Sequence, residues 1–458
     1  YINNNYSIFK NIYKLEPGYY SEVFFKKDRI PESKMFKYWR TDKIINQKKN
    51  IGYKEAIVKL DEKLTNIVKN QIFADVEVGT FLSGGIDSSL ITAKAQEVSS
   101  KKIKTFCIGV ENKNYDESKY AKDVANYLST EHEELILSEK SMTEEVPSII
   151  GNLNEPFGDS SFIPTYFASK LAKKKVKVVL TGDAGDEIFG GYNRYTQLRN
   201  LSKIHALPRS FKKIINSSFS NMSEKNINRI NSFAKLFPFF KNQFYLNDKI
   251  KKLFDRIDPD LNFSDFIFNF MTNKVDLNLL KNSNTFSKKN IFAIFNQKFS
   301  DKKLDKLTLE EKIMYIDTTA YLPNDILFKV DRASMANSVE TRAPFLDKDL
   351  YDFSFRLSID QKINKSKGKV ILRDLLKTKI PNNLIDRPKG GFSIPIGNWI
   401  NKPLLDWSEN LLSKKNIEKS GLLNFENVSK IWLNHKKGID NSSLIWSILV
   451  FQQWLLNR

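Results

Sequence analysis

The segment with the clearest chemical character is residues 83–89, which read Ser-Gly-Gly-Ile-Asp-Ser-Ser. An apolar run at 76–81 predicts a buried strand before it, and residues 88–98 have the composition of a helix after it. A glycine turn between a strand and a helix N-terminus exposes backbone N–H groups, which together with the helix dipole favour anions. Gly84 and Gly85 let the main chain approach a phosphate closely. The segment therefore predicts a phosphate-binding loop, although no Gly-Lys-Ser/Thr of a Walker loop follows it.

Asp87 is the acidic residue of this loop, and its carboxylate would repel a phosphate. A divalent cation between the two removes the conflict, since hard cations prefer oxygen ligands. A second acidic segment, residues 182–192, reads Gly-Asp-Ala-Gly-Asp-Glu-Ile-Phe-Gly-Gly-Tyr. Three carboxylates within five positions are costly to hold together without a cation. Asp87 and Asp186 are therefore the predicted ligands of Mg²⁺.

Strands and helices alternate around both acidic segments. The predicted strands are 76–81, 105–110, 132–137 and 176–180, and the predicted helices between them are 88–98, 116–128 and 164–173. This alternation indicates an α/β fold with a parallel sheet and right-handed crossovers. Ligands of such sheets bind at the carboxyl ends of the strands. Both acidic loops leave such ends, so we expect them to face one pocket.

Other segments complete the predicted organisation. Apolar spacing predicts a helix over 53–73, a helical insertion over 196–305, and a helical C-terminal part that ends in a docked helix over 444–456. Residues 8–20 have short β patterning with a Pro-Gly turn.

The composition restricts the class of protein. With 458 residues the chain is long enough for two or three domains, and no apolar run is long enough to span a bilayer. Its net charge of +20 comes with a general bias toward Lys, Asn, Ile and Phe, so it does not favour nucleic acid as a partner. Cys107 is the single cysteine, which excludes an intramolecular disulfide and a Cys-cluster zinc site. We expect a cytoplasmic protein.

The Ser-Gly-Gly-Xaa-Asp-Ser pattern resembles the PP-loop of the ATP pyrophosphatase (adenine nucleotide alpha hydrolase-like) family, which cleaves ATP between the α and β phosphates. The motif at 182–192 is similar to that of glutamine-dependent asparagine synthetases of the asparagine synthase B type. Segments 331–347 and 387–395 are similar to the arginine-containing segment and the lysine loop of the same family. Residues 1–50 resemble a remnant of its N-terminal glutaminase domain (Ntn-type), and 51–458 resemble its synthetase domain.

The resemblance implies a carbon–nitrogen ligase that uses ATP and Mg²⁺ to amidate a carboxylate through an acyl-adenylate, releasing AMP and pyrophosphate. Aspartate is the first acceptor that we expect, with ammonia as the nitrogen source, or glutamine through a glutaminase domain upstream of Tyr1. That domain uses an N-terminal cysteine in the family, whereas this chain begins with Tyr1. Asp183 also stands where asparagine-forming members carry glutamate. Its side chain has one methylene fewer, so its carboxylate reaches about 1.5 Å less far from the backbone. A sugar acid or another carboxylate, as in surface-polysaccharide biosynthesis, therefore stays an alternative acceptor.

The resemblance also assigns roles to individual residues. The expected ATP and pyrophosphate contacts are Leu82, Ser83, Gly84, Gly85, Asp87, Ser88, Ser89, Ile108, Thr181 and Gly182. Lys389 is expected to stabilise charge on the α-phosphate, and Asp183 or Glu187 to take the proton from the attacking ammonium. The candidates for acceptor binding are Asp325, Arg332, Glu340 and Arg342, of which each arginine is equally well explained by a structural ion pair.

Two hypotheses from other classes remain open at this point. A PP-loop enzyme that modifies tRNA would use the positive charge, but a thiolating version calls for more cysteines than Cys107. A non-enzymatic scaffold predicts loss of the phosphate-binding and metal-binding residues, yet all of them are present. The oligomeric state, a homodimer included, and the role of 196–305 are not determined by the sequence.

Overall fold

The computed structural model describes residues 1–2, 5–25, 31–45, 51–111, 116–213, 260–272, 276–281, 288–364, 367–386 and 394–458. The chain divides into two units. The first consists of residues 1–196, 278–283 and 305–458, and the second of residues 197–277 and 284–304. The strands and the candidate site belong to the first unit.

Seven strands are present in the described part of the chain. They are β1 (Tyr19–Phe24), β2 (Glu32–Lys37), β3 (Val78–Phe81), β4 (Lys104–Val110), β5 (Glu131–Leu137), β6 (Val178–Leu180) and β7 (Glu340–Arg342). Strands β1 and β2 form an antiparallel hairpin. The other five form one parallel sheet in the order β5-β4-β3-β6-β7, which confirms the predicted α/β fold.

The strand order of the parallel sheet locates its binding crevice. From β3 the chain adds β4 and then β5 on one side, and it later returns to add β6 and β7 on the other. The direction of winding therefore switches between β3 and β6. In open α/β sheets the crevice for ligands lies outside the carboxyl ends of the strands at such a switch point. The two acidic loops leave β3 and β6 at this place.

Helices cover the sheet and form the C-terminal part. In chain order they are α1 (Thr41–Ile44), α2 (Tyr53–Ile72), α3 (Ile86–Val98), α4 (Ser118–Tyr127), α5 (Glu139–Gly151), α6 (Phe162–Ala172), α7 (Gly185–Phe189), α8 (Asn193–His205), α9 (Phe263–Met271), α10 (Lys288–Phe299), α11 (Leu309–Ile316), α12 (Leu327–Met335), α13 (Lys348–Arg356), α14 (Ile359–Lys362), α15 (Val370–Lys377), α16 (Asn382–Ile385), α17 (Ile396–Asn401), α18 (Leu405–Leu411), α19 (Lys414–Ser420), α20 (Phe425–Lys436) and α21 (Ser442–Leu456). A π-helix, Asp317–Ile326, joins α11 to α12.

The hydrophobic core joins the sheet to the C-terminal helices. Phe106 and Ile108 of β4 belong to the same buried cluster as Phe167 of α6 and Trp446 of α21. Burial of such large apolar side chains is the main favourable contribution to folding. The predicted C-terminal helix is confirmed, and its buried face includes Trp446 and Trp454. No helix in the described ranges is both long and apolar enough to cross a membrane.

Candidate functional site

The loop after β3 has the geometry of an anion-binding turn. Gly84 adopts a φ of +70°, and a Cβ at this position would lie 2.7 Å from the backbone carbon of Tyr120 in α4, so only glycine fits. Helix α3 begins immediately afterwards with Gly85 as its N-cap. Ser83 and Ser88 are 3.1 Å apart at their hydroxyls, and Ser88 Oγ accepts from the Ser83 N–H at 3.2 Å. The loop therefore presents a helix N-terminus and two serine hydroxyls at the switch point.

The loop after β6 packs directly on the start of α3. A Cβ at Gly182 would lie 2.8 Å from Asp87 Cβ and 2.9 Å from the Ser88 nitrogen, and one at Gly185 would lie 2.7 Å from Asp87 Cγ. Both glycines are thus required by the close approach of the two loops. The register pairs Thr80 of β3 with Leu180 of β6, so both loops leave the sheet at one level. The structure places the two acidic segments side by side.

A lysine joins the two predicted metal ligands. The ammonium of Lys369, from the segment before α15, forms an ion pair with Asp87 Oδ2 and lies 2.7 Å from Asp186 Oδ1. Burial alone would lower the pKa of Lys369, but the charges of Asp186 and Asp87 raise it well above its usual value. Lys369 is therefore a charged group at the centre of the site, and it was not predicted from the sequence.

Glycines make room for this lysine. Lys369 has a φ of +57°, and its N–H donates to the Phe189 carbonyl at 3.2 Å. A Cβ at Gly191 would collide with Asp186 Oδ1 and with Lys369 Cε, and one at Gly368 would collide with the Gly190 carbonyl. The path of the Lys369 side chain thus explains Gly191, whereas Gly190 has a φ of +72° and packs against Ile363. The only signal in the sequence is a Gly-Lys pair directly before an amphipathic helix.

The donor set at this point suits a hard cation. Asp87 and Asp186 direct carboxylate oxygens at one position, which is filled by the Lys369 ammonium. Two carboxylates leave several positions of an octahedral Mg²⁺ for phosphate oxygens and water, the usual arrangement in ATP-dependent enzymes. No group of three or more acidic, His or Cys side chains capable of holding a metal occurs among the described residues.

A second polar cluster lies beyond the β6 loop. Lys329 of α12 is buried, forms a 3.3 Å ion pair with Asp159 Oδ2 and donates to Ser161 Oγ at 2.9 Å. Burial lowers the pKa of Lys329, but the charges of Asp159, Asp183 and Asp325 outweigh it, so the pKa is raised. Burial also raises the pKa of Asp183. We call Asp159, Asp183, Asp325 and Lys329 the acidic cluster. Asp183 and Asp325 were predicted from the sequence as site residues.

The π-helix provides one wall of this region. It carries Asp317, Tyr321 and Asp325, and insertions of this kind occur often at functional sites. Asp317 is buried and pairs with Arg194 at 2.8 Å. The Arg194 guanidinium lies 4.2 Å from the ring centre of Tyr192 and 5.0 Å from that of Tyr321. These contacts hold the end of the second motif against the π-helix.

Glu187 of the second motif is buried. Its Oε1 accepts a 2.6 Å hydrogen bond from the Tyr192 hydroxyl. Burial, followed by the charge of Asp186, raises the pKa of Glu187 to about 8. With this pKa the carboxyl group holds its proton over much of the neutral range and becomes a proton acceptor as the pH rises toward about 8.

The remaining predicted site residues are buried at the switch point, held in local ion pairs, or outside the described residues. Leu82, Ile108, Thr181 and Ser89 are buried around the switch point, where Ile108 lies beyond the paired end of β3. By contrast, Arg332 has an exposed side chain paired with Asp331, and Arg342 pairs with Glu340 at 2.6 Å.

Arg342 also has a structural contact with α2. Its Nη1 donates to the Gln71 carbonyl at 2.7 Å. Gln71 lies at the C-terminal end of that helix, where the helix dipole favours a cation. The structure therefore brings Asp325 to the acidic cluster but places Arg332, Glu340 and Arg342 in local ion pairs. Lys389 lies outside the described residues.

Comparison with known proteins identifies the family. A family model described as asparagine synthase matches residues 59–456. This chain belongs to the asparagine synthase family. The "asparagine synthetase (glutamine-hydrolyzing) 1" of Bacillus subtilis is 29% identical over 408 residues, which cover 86% of this chain and 59% of that relative. A putative asparagine synthetase of Mycobacterium tuberculosis is 28% identical, with 90% and 58% covered.

These comparisons confirm the family predicted from the motifs. A third similar protein, a putative asparagine synthetase of Methanocaldococcus jannaschii, is 36% identical over 228 residues, covering 49% of this chain and 42% of that protein. The chain spans about three-fifths of the length of the first two relatives. The asparagine synthase fold is that of the PP-loop ATP pyrophosphatases, in agreement with the parallel sheet.

The ionisation of Asp325 leads to a pH prediction. Burial, followed by the charge of Asp159, raises the pKa of Asp325 from 3.8 to about 6, while Lys329 and Tyr321 oppose the shift. The folded state therefore holds the proton more tightly than the unfolded state, and wild-type stability is lost as pH rises through about 6. Asp325→Asn removes this loss. We expect the free energy of unfolding of the variant, relative to wild type, to increase between pH 3.8 and about 6.

Urea denaturation of both proteins across this pH range measures the effect. The slope is bounded by about 1.4 kcal/mol per pH unit. Asp331→Asn is the matched control, because that carboxylate is exposed on the next helix. Parallel stability curves for wild type and Asp325→Asn would contradict the expected protonation of Asp325.

Proposed function

We propose that the protein catalyses the ATP-dependent amidation of a carboxylate, with aspartate as the acceptor and asparagine, AMP and pyrophosphate as products. The observation that carries the proposal is the convergence of Asp87 and Asp186 on one cation at the switch point of the sheet. Both carboxylates lie beside a loop with the geometry of a phosphate site. Family membership supports the same chemistry.

The first step activates the acceptor. A carboxylate oxygen of aspartate attacks the α-phosphorus of ATP, the bond from that phosphorus to the bridging oxygen breaks, and pyrophosphate leaves. In this proposal the N–H groups at the start of α3 and the hydroxyls of Ser83 and Ser88 bind the departing pyrophosphate. Asp87 and Asp186 would hold Mg²⁺, which supplies positive charge to the phosphates when bound. Lys369, and Lys389 from the predicted lysine loop, add positive charge from the protein.

The second step forms the amide. Ammonia attacks the acyl carbon of the adenylate, loses a proton, and displaces AMP as the carbon–oxygen bond breaks. Glu187 and Asp183 are the proposed proton acceptors, since burial raises the pKa of both carboxylates toward the working range. The Tyr192 hydroxyl keeps the Glu187 carboxylate in one orientation.

The acidic cluster favours an amino acid as the acceptor. The charges of Asp159, Asp183 and Asp325 all act on Lys329, so these three carboxylates outnumber the lysine of the cluster. The ammonium group of aspartate would balance this excess, and Lys329 would pair with one of its carboxylates. A uronic acid has no ammonium group and would leave the excess unbalanced.

We propose ammonia as the nitrogen source for the chain as it stands. The relatives are named as glutamine-hydrolyzing, and we propose that a glutaminase domain supplies ammonia in the same way here. Cys107 does not serve as its nucleophile, because it is buried in β4 and burial raises the pKa of its thiol to about 12. A cytoplasmic location is consistent with this single, reduced cysteine.

The test is pyrophosphate release by the 458-residue chain from ATP and Mg²⁺ with ammonium chloride. We expect release with aspartate, together with asparagine, and none with glucuronic or galacturonic acid. Hydroxylamine in place of ammonium should trap the acyl-adenylate as the aspartyl hydroxamate. Release with a uronic acid alone would overturn the choice of aspartate. Absence of release with every acid would overturn the amidation itself.

A further inference from the structure

An ion cluster around one buried lysine lies at the opposite end of α3 from the phosphate loop. Lys94 of α3 is fully buried, and its ammonium lies 2.5 Å from Asp61 Oδ1 of α2 and 3.1 Å from Glu97 Oε2. It also donates to Thr65 Oγ1 at 2.7 Å. Lys379, in the turn after α15, lies 3.0 Å from Glu97 Oε2. We call Asp61, Lys94, Glu97 and Lys379 the clamp.

The clamp resembles the contact at the phosphate loop, because in both places a lysine at one end of α15 pairs with a carboxylate of α3. Asp87 and Glu97 are ten positions apart on α3, and Lys369 and Lys379 are ten positions apart across α15. Ten helical residues span about 15 Å in either helix. Helices α3 and α15 pack together and run in the same direction, with a lysine–carboxylate pair at each end. A shift of α15 along α3 would break both pairs at once.

The burial of Lys94 requires an explanation beyond stability. Removing a lysine ammonium from water is costly, and a buried ion pair is often no more stabilising than apolar residues of similar volume. The clamp contains two cations and two anions, so it is neutral as a whole. Its contacts are directional and fit only one register of α2, α3 and α15. Such groups can specify a single arrangement of packed elements, as a buried polar residue does in a coiled coil.

We propose that the clamp is a positioning device for Lys369. It holds α15 on α3 in the register that places the Lys369 ammonium between Asp87 and Asp186. Glu97 and Lys379 lie ten helical residues, about 15 Å, from Asp87 and Lys369, so the clamp acts through Lys369. This inference rests on the proposed function of the site for its kinetic consequence, but the position of Lys369 is measurable without turnover.

Lys379→Gln tests the clamp with little risk to folding, because Lys94 keeps both of its carboxylate partners. The rate at which an amine-reactive ester acylates Lys369 is followed by mass spectrometry in the ligand-free protein. We expect Lys369 to react about tenfold faster in Lys379→Gln, because its buried ion pairs open more often. The turnover number for pyrophosphate release should fall by a similar factor, and Lys379→Arg should restore both.

A double-mutant cycle separates positioning from general destabilisation. In a Lys369→Met background, Lys379→Gln should change the turnover number no further, because the residue through which it acts is gone. Lys175→Gln is the control, since Lys175 forms an ion pair with Glu133 on the edge strand β5 and should alter neither readout. Unchanged acylation of Lys369 in folded Lys379→Gln, or additive effects in the cycle, would overturn the inference. A wild type that releases no pyrophosphate overturns the proposed function, whereas the acylation result still decides the clamp.

Discussion

Asp87→Asn is expected to lower the turnover number for pyrophosphate release by about 100- to 1,000-fold. The substitution keeps the volume of the side chain, which matters because Gly182 and Gly185 pack directly against it. It removes one of the two charges that face the cation position, while Lys369 keeps its ion pair with Asp186. The variant should therefore fold normally but release pyrophosphate slowly.

The measurement is a titration of Mg²⁺ at fixed ATP, with turnover and half-saturating Mg²⁺ recorded for each protein. We expect Asp87→Asn to require more Mg²⁺ as well as to turn over slowly. Asp75→Asn is the control, because Asp75 is exposed before β3. Near-normal turnover and an unchanged Mg²⁺ requirement would exclude Asp87 as a metal ligand.

Lys369→Met is expected to reduce pyrophosphate release by about 100-fold or more, and to make the stability of the ATP-free protein depend on Mg²⁺. In wild type the Lys369 ammonium forms ion pairs with both Asp87 and Asp186 and offsets part of their negative charge. Without it, two adjacent carboxylates face each other in a largely buried site, which favours binding of another cation. Methionine retains most of the aliphatic stem that passes Gly191, so packing there is preserved.

Thermal unfolding in EDTA and in millimolar Mg²⁺, without nucleotide, reports this dependence. The melting temperature of Lys369→Met should rise by about 3 °C or more on addition of Mg²⁺, and that of wild type should change much less. Lys377→Met is the control, because Lys377 lies on the same helix and pairs only with Asp374 among the described residues. Equal shifts in wild type and Lys369→Met would show that Lys369 does not occupy the cation position.

Most of the sheet follows from short-range patterns. The four predicted strands are confirmed, with ends that differ by at most two residues, because buried strands between helices produce compact apolar runs. Strand β7 was not predicted, since three residues are too few to show a period. Helix α5 was likewise absent from the prediction. The start of α3 lies two residues before its predicted position, because the PP-loop serines belong to its first turn.

The acceptor region was less predictable than the phosphate loop. Asp183 lies in the second motif, but Asp159 and Lys329 come from two other segments, and the surroundings of neither have a fixed spacing that marks a site. The arginines Arg332 and Arg342 lie in a recognisable motif, yet their side chains form local contacts. A motif places a residue near a site, but the direction of its side chain depends on packing.

Local sequence was sufficient for the fold class and for the two loops at the switch point, because strand patterns and glycine turns act over a few neighbouring residues. Tertiary structure alone decided what completes the site. Lys369 is 282 positions from Asp87, and it reaches that carboxylate because α15 packs along α3 and Gly191 leaves room for its stem. Contacts between residues so distant in the chain depend on the packing of whole elements, and no pattern within either segment records them.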